Sequence, residues 1–261
     1  MTDPTTPLVL DREGAVATIR FNRPQALNAI DVPMAEALLA AAEQFACDKA
    51  VRAVLMCGAG KGFMAGGDLE TLRADPVAGS AALLKPLNAA LEIFHAMDAP
   101  IVAQVHGVAA GAGLSLMLQA DFVLAAEGTR FNLAYVNIGT SCDVGASWAL
   151  PRLVGLRRAL EIAMLGETYD AAAAERMGLI NRVVPIIDLD KEAMAFAQRL
   201  AAGPTVAHGH LRRLMRTAFD RDLPAQLKAE TDAFRECAGT EDFRSGVDAF
   251  FSRKTADFIG H

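Results

Sequence analysis

Two apolar runs, residues 51–57 and 101–105, each break through small residues into a helical pattern. The breaks read Phe63-Met64-Ala65-Gly66-Gly67-Asp68-Leu69 and Val105-His106-Gly107-Val108-Ala109-Ala110-Gly111-Ala112-Gly113-Leu114. A short continuous apolar run bounded by glycine reads as a strand buried on both faces. Strand, turn and helix in repetition call for an α/β fold with handed crossovers. Side chains this small carry no acid–base chemistry, so what the turns offer is backbone. A strand that turns through glycine into a helix start leaves N–H groups unpaired. Two such turns converging on one carbonyl oxygen would form an oxyanion hole. The plainer reading, that the glycines only permit tight turns, is compatible with it.

Around these turns the chain supplies further elements. Residues 8–10 and 15–21 read as a strand pair across Asp11-Arg12-Glu13-Gly14. Asp31 caps a helix over 33–47, Pro33 being tolerated in its first turn. A short helix starts at Asp68, a long one covers 81–97 and stops before Pro100, and a third, over 113–119, feeds a strand at 122–126. From Asp188 onward the pattern is helical throughout, over 189–201, 205–219, 224–237 and 241–253. A division into a core of residues 1–200 and a helical region of residues 201–261 follows.

Composition narrows the function classes. Of 261 residues, 52% are hydrophobic, enough for a sizeable core. A net charge of −6 argues against nucleic acid as a partner. The four cysteines, Cys47, Cys57, Cys142 and Cys237, form no C-x-x-C pair, and no secretory leader is read at the start. Both point to a reducing, cytoplasmic setting. No apolar run reaches the roughly 18 residues of a membrane span, so no membrane partner is expected. The histidines show no metal-ligand spacing, and His208-Gly209-His210 reads as a solvated pair. No metal is expected.

The two turns, together with Phe21-Asn22-Arg23-Pro24-Gln25-Ala26-Leu27-Asn28-Ala29, Leu150-Pro151-Arg152-Leu153-Val154-Gly155, Ala174-Glu175-Arg176-Met177-Gly178-Leu179-Ile180-Asn181-Arg182 and the Phe250-Phe251-Ser252-Arg253-Lys254 tail, resemble the enoyl-CoA hydratase/isomerase (crotonase) superfamily nearly end to end. The resemblance implies a spiral of ββα turns with a C-terminal helical trimerisation region, and assembly as a homotrimer or a dimer of trimers. It implies an acyl-CoA thioester substrate, with no cofactor beyond the coenzyme A moiety. It puts the amides of Gly67 and Ala112 on the thioester oxygen. Coenzyme A would lie against Arg23, Gln25, Ala26 and Leu27, against Ala65, Gly66, Asp68 and Leu69, and against Phe250, Arg253 and Lys254. Gln25 stands where a lysine is often found, so one charge contact is missing.

Departures from the hydratase pattern are chemically decisive. Aligned on the Gly111-Ala112-Gly113 turn, the first hydratase glutamate falls on Ser115, and aligned on Phe131 and Gly139, the second falls on Tyr135. Neither can be a general base near neutral pH, since tyrosine titrates near 10 and serine higher. One carboxylate remains, Asp143, in Gly139-Thr140-Ser141-Cys142-Asp143-Val144-Gly145. As a structural residue it would cap the helix that follows. As a catalytic one, at a position where family isomerases and dehalogenases carry an aspartate, it suffices for a proton shift, because the base that removes a proton can return it elsewhere. Isomerisation of an unsaturated or cyclic acyl-CoA is therefore expected, with hydration or binding without turnover as alternatives. Dehalogenation is disfavoured, because the histidine base falls on Asn88 and His95 lies about 10 Å further along the helix. Ser115 reads as a pocket lining rather than a nucleophile, and Trp148, Phe131, Tyr135 and Leu87 as candidates for the acyl pocket.

Overall fold

A hairpin opens the chain in the computed structural model, which describes residues 6–261. Strands β1 (Leu8–Glu13) and β2 (Val16–Phe21) pair antiparallel. Helix α1 (Val32–Cys47) then carries the chain to β3 (Ala53–Gly58), parallel to β2. Asp31 caps α1 by accepting a hydrogen bond from the Met34 amide, as its position predicts. Helices α2 (Leu69–Ala74) and α3 (Pro76–Ala96) lead to β4 (Ile101–Val105). Asp75 caps α3 and Pro76 fills its first position, so the helix starts five residues before its apolar period becomes visible.

From β4 on, the chain winds as a spiral. It runs through β5 (Val108–Ala110), α4 (Ala112–Met117), β6 (Phe122–Ala126), β7 (Arg130–Asn132), α5 (Ala146–Val154), α6 (Leu156–Leu165), β8 (Tyr169–Asp170), α7 (Ala171–Met177) and β9 (Arg182–Val184). Each circuit adds one strand to a large sheet, ordered β1-β2-β3-β4-β6-β9, and one to a small sheet, ordered β5-β7-β8. The winding is the spiral of ββα turns that the resemblance implies.

Both faces of the large sheet are covered. Along β3, Val54 and Met56 join the main core while Ala53 and Leu55 meet helix α8 (Leu189–Ala201) on the other side. In β4, Ile101, Ala103 and Val105 point one way and Val102 the other. The period of two accounts for strands that read as unbroken apolar runs.

Three helices follow, α9 (Thr205–Arg216), α10 (Leu223–Ala238) and α11 (Glu241–Ser252). A buried polar cluster rivets α9 to the body. Asp121, before β6, accepts from Arg212 at 2.7 Å and from Arg216 at 2.8 Å. Arg212 also donates to the carbonyls of Phe94 and Met97 at the end of α3, where a cation suits the helix dipole.

Two expectations need correcting. His208 and His210 are half-buried rather than solvated: Gly209 between them packs so tightly on Asp98 that a Cβ would stand 1.9 Å from its carboxylate, and His210 meets Glu236 at 3.1 Å. Helix α3, at 21 residues and mean hydropathy 1.2, is long and apolar enough to cross a membrane. Of its apolar side chains, Leu83, Leu87, Ala90, Leu91 and Phe94 are buried in the core, where α3 packs on α1.

Candidate active site

Arginine and asparagine build the first turn. The Asn28 side chain, fully buried, donates to the carbonyls of Ala59, Gly62 and Phe63 and accepts from the Arg23 amide. Leu27 and Asn28 both take left-handed backbone, a conformation asparagine tolerates better than most residues. The segment so shaped runs alongside the glycine turn. Ala65 N donates to Leu27 O, Ile30 N to Gly66 O, and Asp68 N to Ile30 O. In such a parallel bridge, Ile30 facing Gly67, successive N–H groups alternate in direction. The Gly67 N–H is the one turned away, and no described residue accepts from it.

The second turn follows the same logic. Ala110 N donates to Met64 O and Gly111 N to Asn132 O. Gly111, with φ +50°, then starts α4, and the Ala112 amide has no acceptor among the described residues. The two turns touch. A Cβ on Gly111 would stand 3.5 Å from the Gly66 Cα, and one on Gly66, whose φ is +123°, would stand 3.8 Å from the Ala112 nitrogen. Two unfilled amides are thus brought together by segments about forty residues apart. That sets up electrostatic stabilisation of an oxyanion.

Asp143 lies in the loop before α5. It does not cap α5: Gly145 occupies the cap position, and no side chain caps that helix. Instead one Asp143 oxygen accepts from the Tyr135 hydroxyl, and the Ser115 hydroxyl lies 3.0 Å from that same phenol. Ser115 sits one turn along α4 from Ala112. The three residues singled out by the altered hydratase pattern therefore form one hydrogen-bonded line. Burial pushes the Asp143 carboxyl up, while the hydrogen bond from Tyr135 lowers it. Burial, then the Asp143 charge, push the Tyr135 phenol well above its ordinary range, so it stays protonated.

Other sequence candidates fall differently. Arg23 is not free for phosphates: its guanidinium pairs with Asp31 at 3.1 Å and Asp68 at 2.9 Å and donates to Ala29 O. It braces the turn that shapes Gly67. Gln25 and Ala26 lie in a short 3-10 turn, Leu27 and Leu69 are exposed, and Ala65, Gly66 and Asp68 lie on the first glycine turn. Phe250, Arg253 and Lys254 are exposed at the end of α11, far along the chain from the turns. Trp148 lies in the first turn of α5. It packs on His95 and Arg152 and lines a cavity of about 490 Å³ beneath α9. Phe131 and Leu87 are fully buried core. Among the described residues no three His, Cys, Asp or Glu side chains are arranged to hold a metal. Sequence reasoning missed Asn28 and Gln119. Gln119 donates to the carbonyls of Val144 and Ser115, and no local signal marks it.

The chain is similar over nearly its whole length to known proteins. Residues 11–261 match the family model described as enoyl-CoA hydratase/isomerase. A protein of Rhodobacter capsulatus named "Probable enoyl-CoA hydratase" is 35% identical over 94% of this chain and 95% of its own length. The 1,2-epoxyphenylacetyl-CoA isomerase of Escherichia coli is 34% identical over 95% of this chain and 96% of its own. The crystal structure of an enoyl-CoA hydratase from Polaromonas superposes with a TM-score of 0.91 at 30% identity, covering 96% of this chain and 99% of that one.

Proposed function

The chain belongs to the enoyl-CoA hydratase/isomerase family of acyl-CoA enzymes, and from that premise we propose that it isomerises an unsaturated or cyclic acyl-CoA. The observation that carries the reading is the line from Ser115 through Tyr135 to Asp143. Side chains that cannot act as bases stand where hydration calls for two carboxylates, and they hold the one carboxylate left. In this mechanism the Gly67 and Ala112 amides receive the thioester oxygen. Asp143 removes the α-proton, the enolate's charge is held by the two N–H groups, and Asp143 returns the proton at another carbon. Hydrogen bonds that strengthen as the oxygen gains charge lower the barrier, each by about 3–4 kcal/mol in comparable sites. No cofactor beyond the substrate's own coenzyme A is called for.

Hydration is the second reading, favoured by the names of several relatives. Mass-resolved turnover of enoyl-, dienoyl- and arylacetyl-CoA separates the two, since isomerisation leaves mass unchanged and hydration adds water. Asp143→Asn should lower turnover by about 10²–10⁴ while coenzyme A binding by calorimetry stays within a few-fold. Full activity in that variant, or product heavier by one water, refutes the isomerase.

Assembly as a homotrimer or a dimer of trimers belongs to the same proposal. Met215, Phe219, Leu223, Phe250 and Phe251 are each more than two-thirds exposed on the C-terminal region of a single chain, an apolar surface that suits subunit contact. A stable monomer in sedimentation at micromolar concentration would overturn it. The cytoplasm is proposed on the four free cysteines.

A further inference from the structure

We propose that Ser115 and Tyr135 are positioning residues acting in series on Asp143, so that one carboxylate oxygen is permanently engaged and the other alone exchanges the substrate proton. The inference rests on the isomerase reading and adds the division of labour within the carboxylate. It follows from counting protons. The Tyr135 hydroxyl has one, and donates it to Asp143. Its oxygen then has only lone pairs to offer Ser115, so Ser115 must donate into it. The same Ser115 proton is shared with the Gly111 carbonyl, whose oxygen lies farther off at 3.2 Å. The line therefore runs one way, from Ser115 to Tyr135 to Asp143. It survives when Asp143 takes up a proton on its free oxygen, because the engaged oxygen still accepts. Tyr135 already holds a proton and cannot carry another away, so the abstracted proton stays on Asp143.

The scaffold around the line is built for aim. Ser115 is fully buried and Tyr135 nearly so. Val144, next to Asp143, holds φ +51° despite its β-branch, a strain that surroundings must over-determine. They do so through Gln119, which donates to the Val144 carbonyl at 3.2 Å and to the Ser115 carbonyl at 3.3 Å. Helix α4 and the turn that follows it thus grip the Asp143 segment twice, by Ser115 through Tyr135 and by Gln119 through Val144. Burial raises the Asp143 carboxyl, and the Tyr135 hydroxyl and the backbone N–H of Asp143 itself lower it, with no charged side chain among the described residues contributing. Losing the donor must therefore raise the carboxyl's affinity for protons.

The test reads Asp143 directly. Protein labelled with ¹³C at aspartate carboxyls is titrated by NMR, the Asp143 signal being assigned by its loss in Asp143→Asn. Tyr135→Phe should move the midpoint up by about one pH unit, and Ser115→Ala should move it the same way by less. The double variant should match Tyr135→Phe alone, because Ser115 acts only through Tyr135. Should Tyr135→Phe fail to fold, Ser115→Ala decides alone. With a turned-over acyl-CoA, the acid limb of kcat/KM should follow these midpoints while KM stays within about twofold. A midpoint unmoved in both single variants, or a double variant showing the full sum, overturns the proposal. That failure is distinct from failure of the isomerase reading, which Asp143→Asn turnover decides independently.

Discussion

Gly66→Ala puts the backbone origin of the site at risk without touching a side chain. At φ +123° the residue occupies a region open essentially to glycine alone. The added Cβ meets no hard obstacle, standing 3.4 Å from the Ala110 carbonyl oxygen and 3.8 Å from the Ala112 nitrogen. The perturbation is therefore conformational and local. If the turn holds its shape, strain of about 1–3 kcal/mol appears as lost stability. If it relaxes, the peptide between residues 66 and 67 rotates and the Gly67 N–H is re-aimed. One oxyanion donor is then lost, about 2.7–4 kcal/mol in the transition state or 10²–10³ in kcat. Urea unfolding and turnover measured on the same preparation separate the two. Gly128→Ala is the control, since Gly128 has φ +79° and open space around its Cα. It should lose about 1 kcal/mol of stability at unchanged kcat. If Gly66→Ala keeps kcat within threefold of wild type and loses no more stability than the control, the backbone argument is wrong.

Stability should fall with acidification from about pH 6.5 downward. Burial, then the charges of Arg216 and Arg212, push His95 down from 6.5 to about 4. A folded value below the unfolded one means stability present above pH 6.5 and lost as pH falls toward 4, by about 2–3 kcal/mol. His95→Gln should flatten that window in urea titrations at fixed protomer concentration, and an unchanged slope would refute the assignment. Arg212→Met should destabilise by about 3–5 kcal/mol in urea unfolding, because Asp121 loses a partner and the carbonyls of Phe94 and Met97 lose their donor; a loss under 1 kcal/mol would count against the rivet. Arg253→Ser with Lys254→Ser should raise KM for acyl-CoA several-fold and flatten its salt dependence while kcat holds. An unchanged KM would remove the tail from the coenzyme A site.

Much of this was legible because it is written in backbone patterns. Buried strands β3 and β4, the Asp31 cap and the four C-terminal helices each follow from a local period or a capping residue. Strands β5, β7, β8 and β9, two or three residues each, were not. Such pieces carry too few residues to show a period and exist only because the spiral lays them side by side. Among site residues, the substitution of both glutamates pointed to Asp143, yet no sequence spacing says that Ser115, Tyr135 and Asp143 share one line. The pairing of Arg23 is hidden for a related reason. A cation beside a turn looks available until Asp31 and Asp68 are seen to close around it.

Contact between Gly66 and Gly111 also determines which experiments can detect this site. A scan by alanine truncation would find Asp143 and Tyr135 but pass over the amide pair. Ala112 already carries the side chain such a scan installs, and Gly67 has none to remove. The electrophilic half of the site is vulnerable only to gain of atoms or to rotation of a peptide. Variation that abolishes it should therefore appear as bulk arriving at Gly66 or Gly111, positions where no functional group is ever lost.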